Sequence, residues 1–156
     1  MANQQGNFGF RPVLMLGSAY QGQGQQEMTI ASNETNSIFM GDPVVLNANG
    51  AISRGGSLGA ELVGVFNGCF YTDPTTQKPT FSNHYPGGIV ASDIVANVIS
   101  DPNVIFTVKV DDTNGGRAQV GSTANIATYS AGSTKSGISN VVINGGTFAT
   151  SSASNF

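Results

Sequence analysis

Apolar residues along this chain come in short runs separated by turn-forming residues. The runs at 38–46, 62–66, 89–99, 104–110 and 138–143 are rich in Val, Ile, Phe and Thr. Four Asn-Gly pairs punctuate them, Asn49-Gly50, Asn67-Gly68, Asn114-Gly115 and Asn144-Gly145. Such pairs supply the positive φ of tight hairpin turns, so each predicts a turn. The strongest hairpin signal joins 94–99 to 104–110 through Ser100-Asp101-Pro102-Asn103, where Pro after Asp favours a type I turn. Alternation in the second run puts Val104, Phe106, Val108 and Val110 on one face, and Ile105, Thr107 and Lys109 on the other. No window sustains the i, i+3, i+4, i+7 spacing of an amphipathic helix, and the pattern leaves room for one helical turn around 122–129. Many short strands with frequent turn signals predict an all-β fold, a small antiparallel sandwich or barrel. Residues 1–10 read as an extended N-terminal arm, 11–150 as one β domain and 151–156 as a polar tail.

Composition sharpens this picture. The 156 residues include 21 glycines, and only 10% are charged against 39% hydrophobic, which describes a turn-rich, charge-poor but core-forming chain. The net charge of −3 and the absence of any basic cluster exclude a direct nucleic-acid role. A lone cysteine, Cys69, cannot form an internal disulfide and fits a reducing compartment. With no secretory signal and no apolar run of membrane-spanning length, the expected site of synthesis is a cytoplasm, with no membrane partner. Charge is also unevenly placed. Residues 1–26 carry Arg11 alone and residues 136–156 carry none, so both ends suit contact with other protein better than free solvent.

Catalytic patterns fail on context. Gly55-Gly56-Ser57-Leu58-Gly59 matches a nucleophile elbow, and Asp73 and His84 follow in triad order, but the residues after it read as a strand rather than the required helix. Gly22-Gln23-Gly24-Gln25-Gln26-Glu27 lacks the third glycine of a dinucleotide fingerprint, and Gly132-Ser133-Thr134-Lys135-Ser136 lacks the spacing of a phosphate loop. Asp111-Asp112-Thr113-Asn114-Gly115-Gly116 begins like a calcium loop, yet position twelve is Ser122 where a glutamate is needed. One His and one Cys cannot build a transition-metal cluster; His84 reads as a loop residue and Cys69 as core. The expectation is a non-enzyme without metal or cofactor. The most distinctive stretch is 69–88, with two Phe, two Tyr and three Pro, which predicts a stiff aromatic loop suited to protein contact.

Five segments occur in an order that resembles a known family. They are Phe8-Gly9-Phe10-Arg11-Pro12, Gly41-Asp42-Pro43-Val44-Val45-Leu46, Gly64-Val65-Phe66-Asn67-Gly68-Cys69-Phe70-Tyr71, Lys78-Pro79-Thr80-Phe81-Ser82-Asn83 and Asp101-Pro102-Asn103-Val104-Ile105-Phe106. Over roughly residues 8–145 the chain resembles the small head decoration, or cement, proteins of tailed bacteriophages, especially marine podovirus-like ones. It departs where a further apolar strand is expected after Asn144-Gly145 and the chain instead closes on Ser and Asn. The resemblance implies a structural virion protein on the outer capsid surface, bridging major capsid protein subunits and neighbouring copies of itself as a homo-oligomer. The interface residues it implies are Phe8, Phe10, Arg11 and Pro12 in the arm, and Tyr71, Pro74, Pro79, Phe81 and Tyr85 in the aromatic loop. The alternative function is a tail or fibre β module that binds host-surface glycan.

Overall fold

The computed structural model describes residues 6–17, 24–55, 61–111, 115–128 and 131–149. Within them the protein is all-β. Its strands are β1 (Arg11–Met15), β2 (Gln25–Thr29), β3 (Ile38–Phe39), β4 (Pro43–Leu46), β5 (Ile52–Arg54), β6 (Leu62–Thr72), β7 (Pro79–Ser82), β8 (His84–Tyr85), β9 (Val95–Ile99), β10 (Val104–Thr107), β11 (Thr123–Thr128) and β12 (Val142–Ala149). Every ladder is antiparallel. A six-stranded sheet runs β2-β9-β6-β4-β5, with β7 added to the far half of β6 on the side away from β9. One isolated bridge, Ile30 to Ile52, draws its two edges together without a ladder, so the sheet stays open rather than closing into a barrel. Three two-stranded sheets, β1-β10, β11-β12 and β3-β8, complete the fold.

The core has two parts, one on each face of the six-stranded sheet. Phe66, Cys69, Tyr71, Ala96 and Val98 pack with Val44, Ile52, Tyr85 and Ile94 on one face. Val65 on the other face packs with Phe10, Ala124, Ile126, Val141 and Ile143 from the small sheets. Phe66 and Cys69 are three residues apart, so a regular strand would send them to opposite faces. An irregularity between Phe66 and Gly68 in the pairing with β9 corrects the parity. Gly68 there has φ 137, which a side chain resists.

Several expectations change for identifiable reasons. Asn49-Gly50 is a turn, with Gly50 at φ 74, but Asn67-Gly68 and Asn144-Gly145 lie inside β6 and β12. At Gly68 the positive φ serves a bulge rather than a turn, and its ladder partners on both sides decide between them. The strand expected after Asn144-Gly145 is the continuation of β12 itself, which pairs Asn144 with Asn125 and, past a bulge, Ala149 with Thr123. Asn114 lies outside the described residues.

The helical turn expected around 122–129 is instead β11, whose Ala124 and Ile126 alternate into the core; a short 3-10 turn lies earlier, at Arg117–Gln119. The turn at 100–103 forms, with Asn103 N–H donating to Asp101 Oδ1 at 2.7 Å. Its flanking strands do not form a hairpin, since β9 pairs β2 and β6 whereas β10 pairs β1. A type I turn splays the strands it joins, and these two leave it for different sheets. The face alternation along 104–110 holds, with Phe106, Val108 and Val110 packed against the second core and Ile105 exposed.

The chain corner at 39–42 ties these parts together. Asp42 is fully buried; its Oδ2 accepts the Phe39 N–H at 2.9 Å, and its N–H donates to Phe39 O at 2.9 Å. Around this loop, Phe10 N–H donates to Gly41 O, Gly41 N–H to Phe66 O, Phe66 N–H to Asp42 O, Met40 N–H to Gly137 O and Ser139 N–H to Met40 O. Among the described residues, Asp42 Oδ1 has no partner at hydrogen-bonding geometry. Burial pushes the Asp42 carboxyl above the usual aspartate range, only partly offset by the nearby Ser139 hydroxyl, the Phe39 N–H and the Arg54 charge. Folded Asp42 therefore holds its proton to higher pH than unfolded Asp42. Wild-type stability should fall as pH rises from the unfolded value through the folded one, and then level off. Asp42→Asn lacks that decline, so the urea-unfolding stabilities of the two proteins should diverge as pH rises above the ordinary aspartate range; a constant difference across pH would contradict it. Gly68→Ala should cost about 1–3 kcal/mol by the same measurement, because the bulge cannot relax without reversing the parity of β6.

Candidate interaction site

The N-terminal segment is not a free arm where it is described. Asn7 Nδ2 donates to Asn140 O at 3.4 Å, Lys109 Nζ donates to Asn7 Oδ1 at 3.1 Å, and Gly9 is buried. Phe10 is 6% exposed and meets Phe106 edge-on, with ring centroids 6.2 Å apart and planes at 87°. It belongs to the second core, so the expectation of Phe10 as a surface anchor is corrected. Phe8 is half-buried, Arg11 exposed and Pro12 half-buried. These four line a cleft of about 430 Å³ with Met40, Asn67 and Ile138. A second, more apolar cleft of about 520 Å³ lies between Leu62, Phe106, Val110, Ile143 and Phe148. Phe10, Val65 and Ile99 border both clefts, so Phe10 forms part of the wall between them.

Beside these clefts lies the β1-β10 ribbon. Pro12 opposite Phe106 and Met15 opposite Val104 face inward, while Leu14 opposite Ile105 faces out. A bulge between Pro12 and Leu14 leaves Val13 exposed as well. Val13, Leu14, Leu16 and Ile105 are each 43–64% exposed, and Arg11 is the one charged residue of β1. Among the described residues, the outer edge of β1 has no ladder partner. Bulge and proline are devices that discourage strand addition at such an edge. The outer face of the ribbon, rather than its edge, is thus the apolar surface it exposes. The sequence reading passed over Val13, Leu14, Leu16 and Ile105. Its available signal was the uninterrupted apolar run Val13-Leu14-Met15-Leu16, which cannot hide both faces of a two-stranded ribbon.

The stretch 69–88 is not a long loop but the end of β6, a turn, β7 and β8. Asp73 Oδ1 accepts N–H groups from Thr75 and Thr76 in the turn, which hold its carboxyl below the usual range. Pro74, Pro79 and Phe81 are exposed on this hairpin, as a protein contact would need. Tyr71 and Tyr85 are buried in the first core, which corrects their expected place at a surface. Tyr85 OH donates to Glu34 O at 3.1 Å and accepts the Ile89 N–H at 3.2 Å, pinning the segment that follows. His84 is a strand residue stacked on Phe39 at 5.5 Å rather than a loop residue. Cys69 is core, and burial pushes its thiol up to about 12.

Ser57 of the elbow-like motif lies outside the described residues, as do residues 1–5 and 151–156. Among the described residues, no three of His, Cys, Asp and Glu converge as metal ligands. No helix there is long and apolar enough to cross a membrane. Phe10→Ala should cost about 3–5 kcal/mol in denaturant unfolding, with Phe8→Ala far less disruptive; equal effects would contradict the division between core and cleft rim. Comparison with known proteins finds no matching family model, no matching curated protein and no matching solved structure.

Proposed function

We propose that this chain is a structural virion protein that binds the outer surface of a bacteriophage capsid and bridges neighbouring major capsid subunits, alone or with copies of itself. The observation that supports this most is the β1-β10 ribbon, which presents Val13, Leu14, Leu16 and Ile105 to solvent beside a single charge. Contiguous exposed apolar surface of this kind marks a contact with another macromolecule. The ribbon is also anchored rather than loose. Its inner face packs on Phe10 and the second core, and Leu16 N–H donates to Asn103 O at 2.9 Å. A rigid apolar face binds with little ordering cost. Bridging suits such a face, because several weak contacts on one lattice add through effective concentration. The five-segment resemblance to decoration proteins points the same way, and it carries the choice of a capsid as partner.

Co-sedimentation with capsids of the virus that encodes this chain tests the reading. Wild-type protein should pellet with capsids in a saturable manner, whereas Leu14→Ser combined with Ile105→Ser should release it while leaving the unfolding curve near wild type. An apolar contact is screened little by salt, so binding should change by less than about threefold between about 0.1 M and about 0.5 M salt. Failure of the wild-type protein to pellet would sink the proposal.

A further inference from the structure

The six-stranded sheet is covered unevenly. Its second face is packed around Val65 by the small sheets, but past the Gly68 bulge that face continues as Phe70, Val95 and the outer side of β7. Cys69, Tyr71, Ala96 and Val98 point into the first core, so their neighbours Phe70, Thr72, Val95 and Asn97 point out. Phe70 pairs with Phe81 across the strands, and their rings touch with centroids 4.8 Å apart, tilted by 48°. Phe81 is nevertheless 81% exposed, so one of its sides rests on Phe70 and the rest meets solvent. Pro79 lies on the same side of β7, opposite Thr72.

The polar groups around this platform are preset. Thr72 N–H donates to both oxygens of Asp93, at 3.2 and 3.1 Å, and the Thr72 hydroxyl donates to Asp93 Oδ2 at 2.6 Å. Those bonds hold the Asp93 carboxyl below the usual aspartate range, so it stays an acceptor at neutral pH. Oδ2 accepts two of these bonds and Oδ1 one, so Oδ1 keeps further lone-pair capacity. Asn97 and its cross-strand partner Glu27 border the other side.

We propose that the platform of Phe70 and Phe81, with Asp93, Thr72 and Asn97 at its border, is a binding site for a neutral carbohydrate. A sugar ring has one face of C–H groups, which suits an aromatic ring by dispersion and burial, and a rim of hydroxyl donors, which suits a fixed carboxylate. A flat protein partner would instead bury ionised Asp93 at a cost unless it brought its own cation. The negative charges of Asp93 and Glu27 disfavour acidic sugars, which makes the preferred ligand uncharged. Phe70 supports the Phe81 ring before any ligand arrives, so little order has to be gained on binding. This site goes beyond the capsid reading and shares no residue with the β1-β10 ribbon.

The test is an array of neutral hexose and N-acetylhexosamine oligosaccharides with acidic and sulfated glycans beside them, followed by NMR titration with the best neutral ligand. Wild type and the control Val120→Ala, altered at another exposed apolar residue, should bind alike. Phe81→Ala should weaken binding at least about tenfold, Asp93→Asn should weaken it measurably, and neither should alter capsid co-sedimentation. Retention of no neutral glycan by the wild type would overturn the site. So would undiminished binding by Phe81→Ala, or binding confined to acidic glycans. Loss of capsid binding in Phe81→Ala, with no glycan bound, would reassign the platform to protein contact.

Discussion

The fold depends on how one tight corner is satisfied in a dry place. Residues 39–42 turn the chain between β3 and β4, and the corner hands out hydrogen bonds to three separate parts of the chain. Phe10 brings in the N-terminal segment, Phe66 the central strand, and Gly137 with Ser139 the approach to β12. Peptide groups buried this deeply must be paired, so each segment is held as firmly by the cost of leaving as by the bond itself. The carboxyl of Asp42 closes the loop on itself, and it is also the corner's weak point. A fully buried acid with one oxygen unpartnered among the described residues favours its neutral form, because burial penalises the charge.

The second constraint is parity along β6. This strand must serve two cores, take partners on both sides and still end with Tyr71 inside. Regular alternation cannot do all three, and the pairing slips once against β4 and once against β9. Each slip exchanges the faces of everything beyond it. The same bulge that buries Cys69 and Tyr71 therefore turns Phe70 outward, past the point where the small sheets end. Exposed aromatic surface here is a consequence of strand geometry, not an excess of apolar residues.

Much of this was legible in the sequence, and the failures share a cause. Period-two patterning identified the strand-rich fold and the inward face of 104–110, because burial acts residue by residue. Asn67-Gly68 was misread as a turn because its local demand, positive φ, is the same in a bulge; only the partner strands distinguish them. The turn at Asp101-Pro102 was legible while its strand partners were not, since local chemistry fixes the bend but distant strands decide the pairing. Tyr71 and Tyr85 are ambiguous in sequence for the same reason, as polar-tipped aromatics that can lie either way until a partner for the hydroxyl is known. The exposed apolar surface was only half legible. Phe81 stood out by composition, whereas Val13, Leu14, Leu16 and Ile105 needed knowledge that the ribbon has just two strands.

The splayed turn at 100–103 has a mechanical meaning. It makes the exposed β1-β10 ribbon and the central sheet successive parts of one backbone, since β10 follows directly from β9. A pull on the ribbon is passed along covalent bonds into β9, which is flanked by β2 and β6. Two ladders then share the load in shear. A ribbon attached by side-chain packing alone would peel away row by row, whereas this one is sewn into the middle of the molecule.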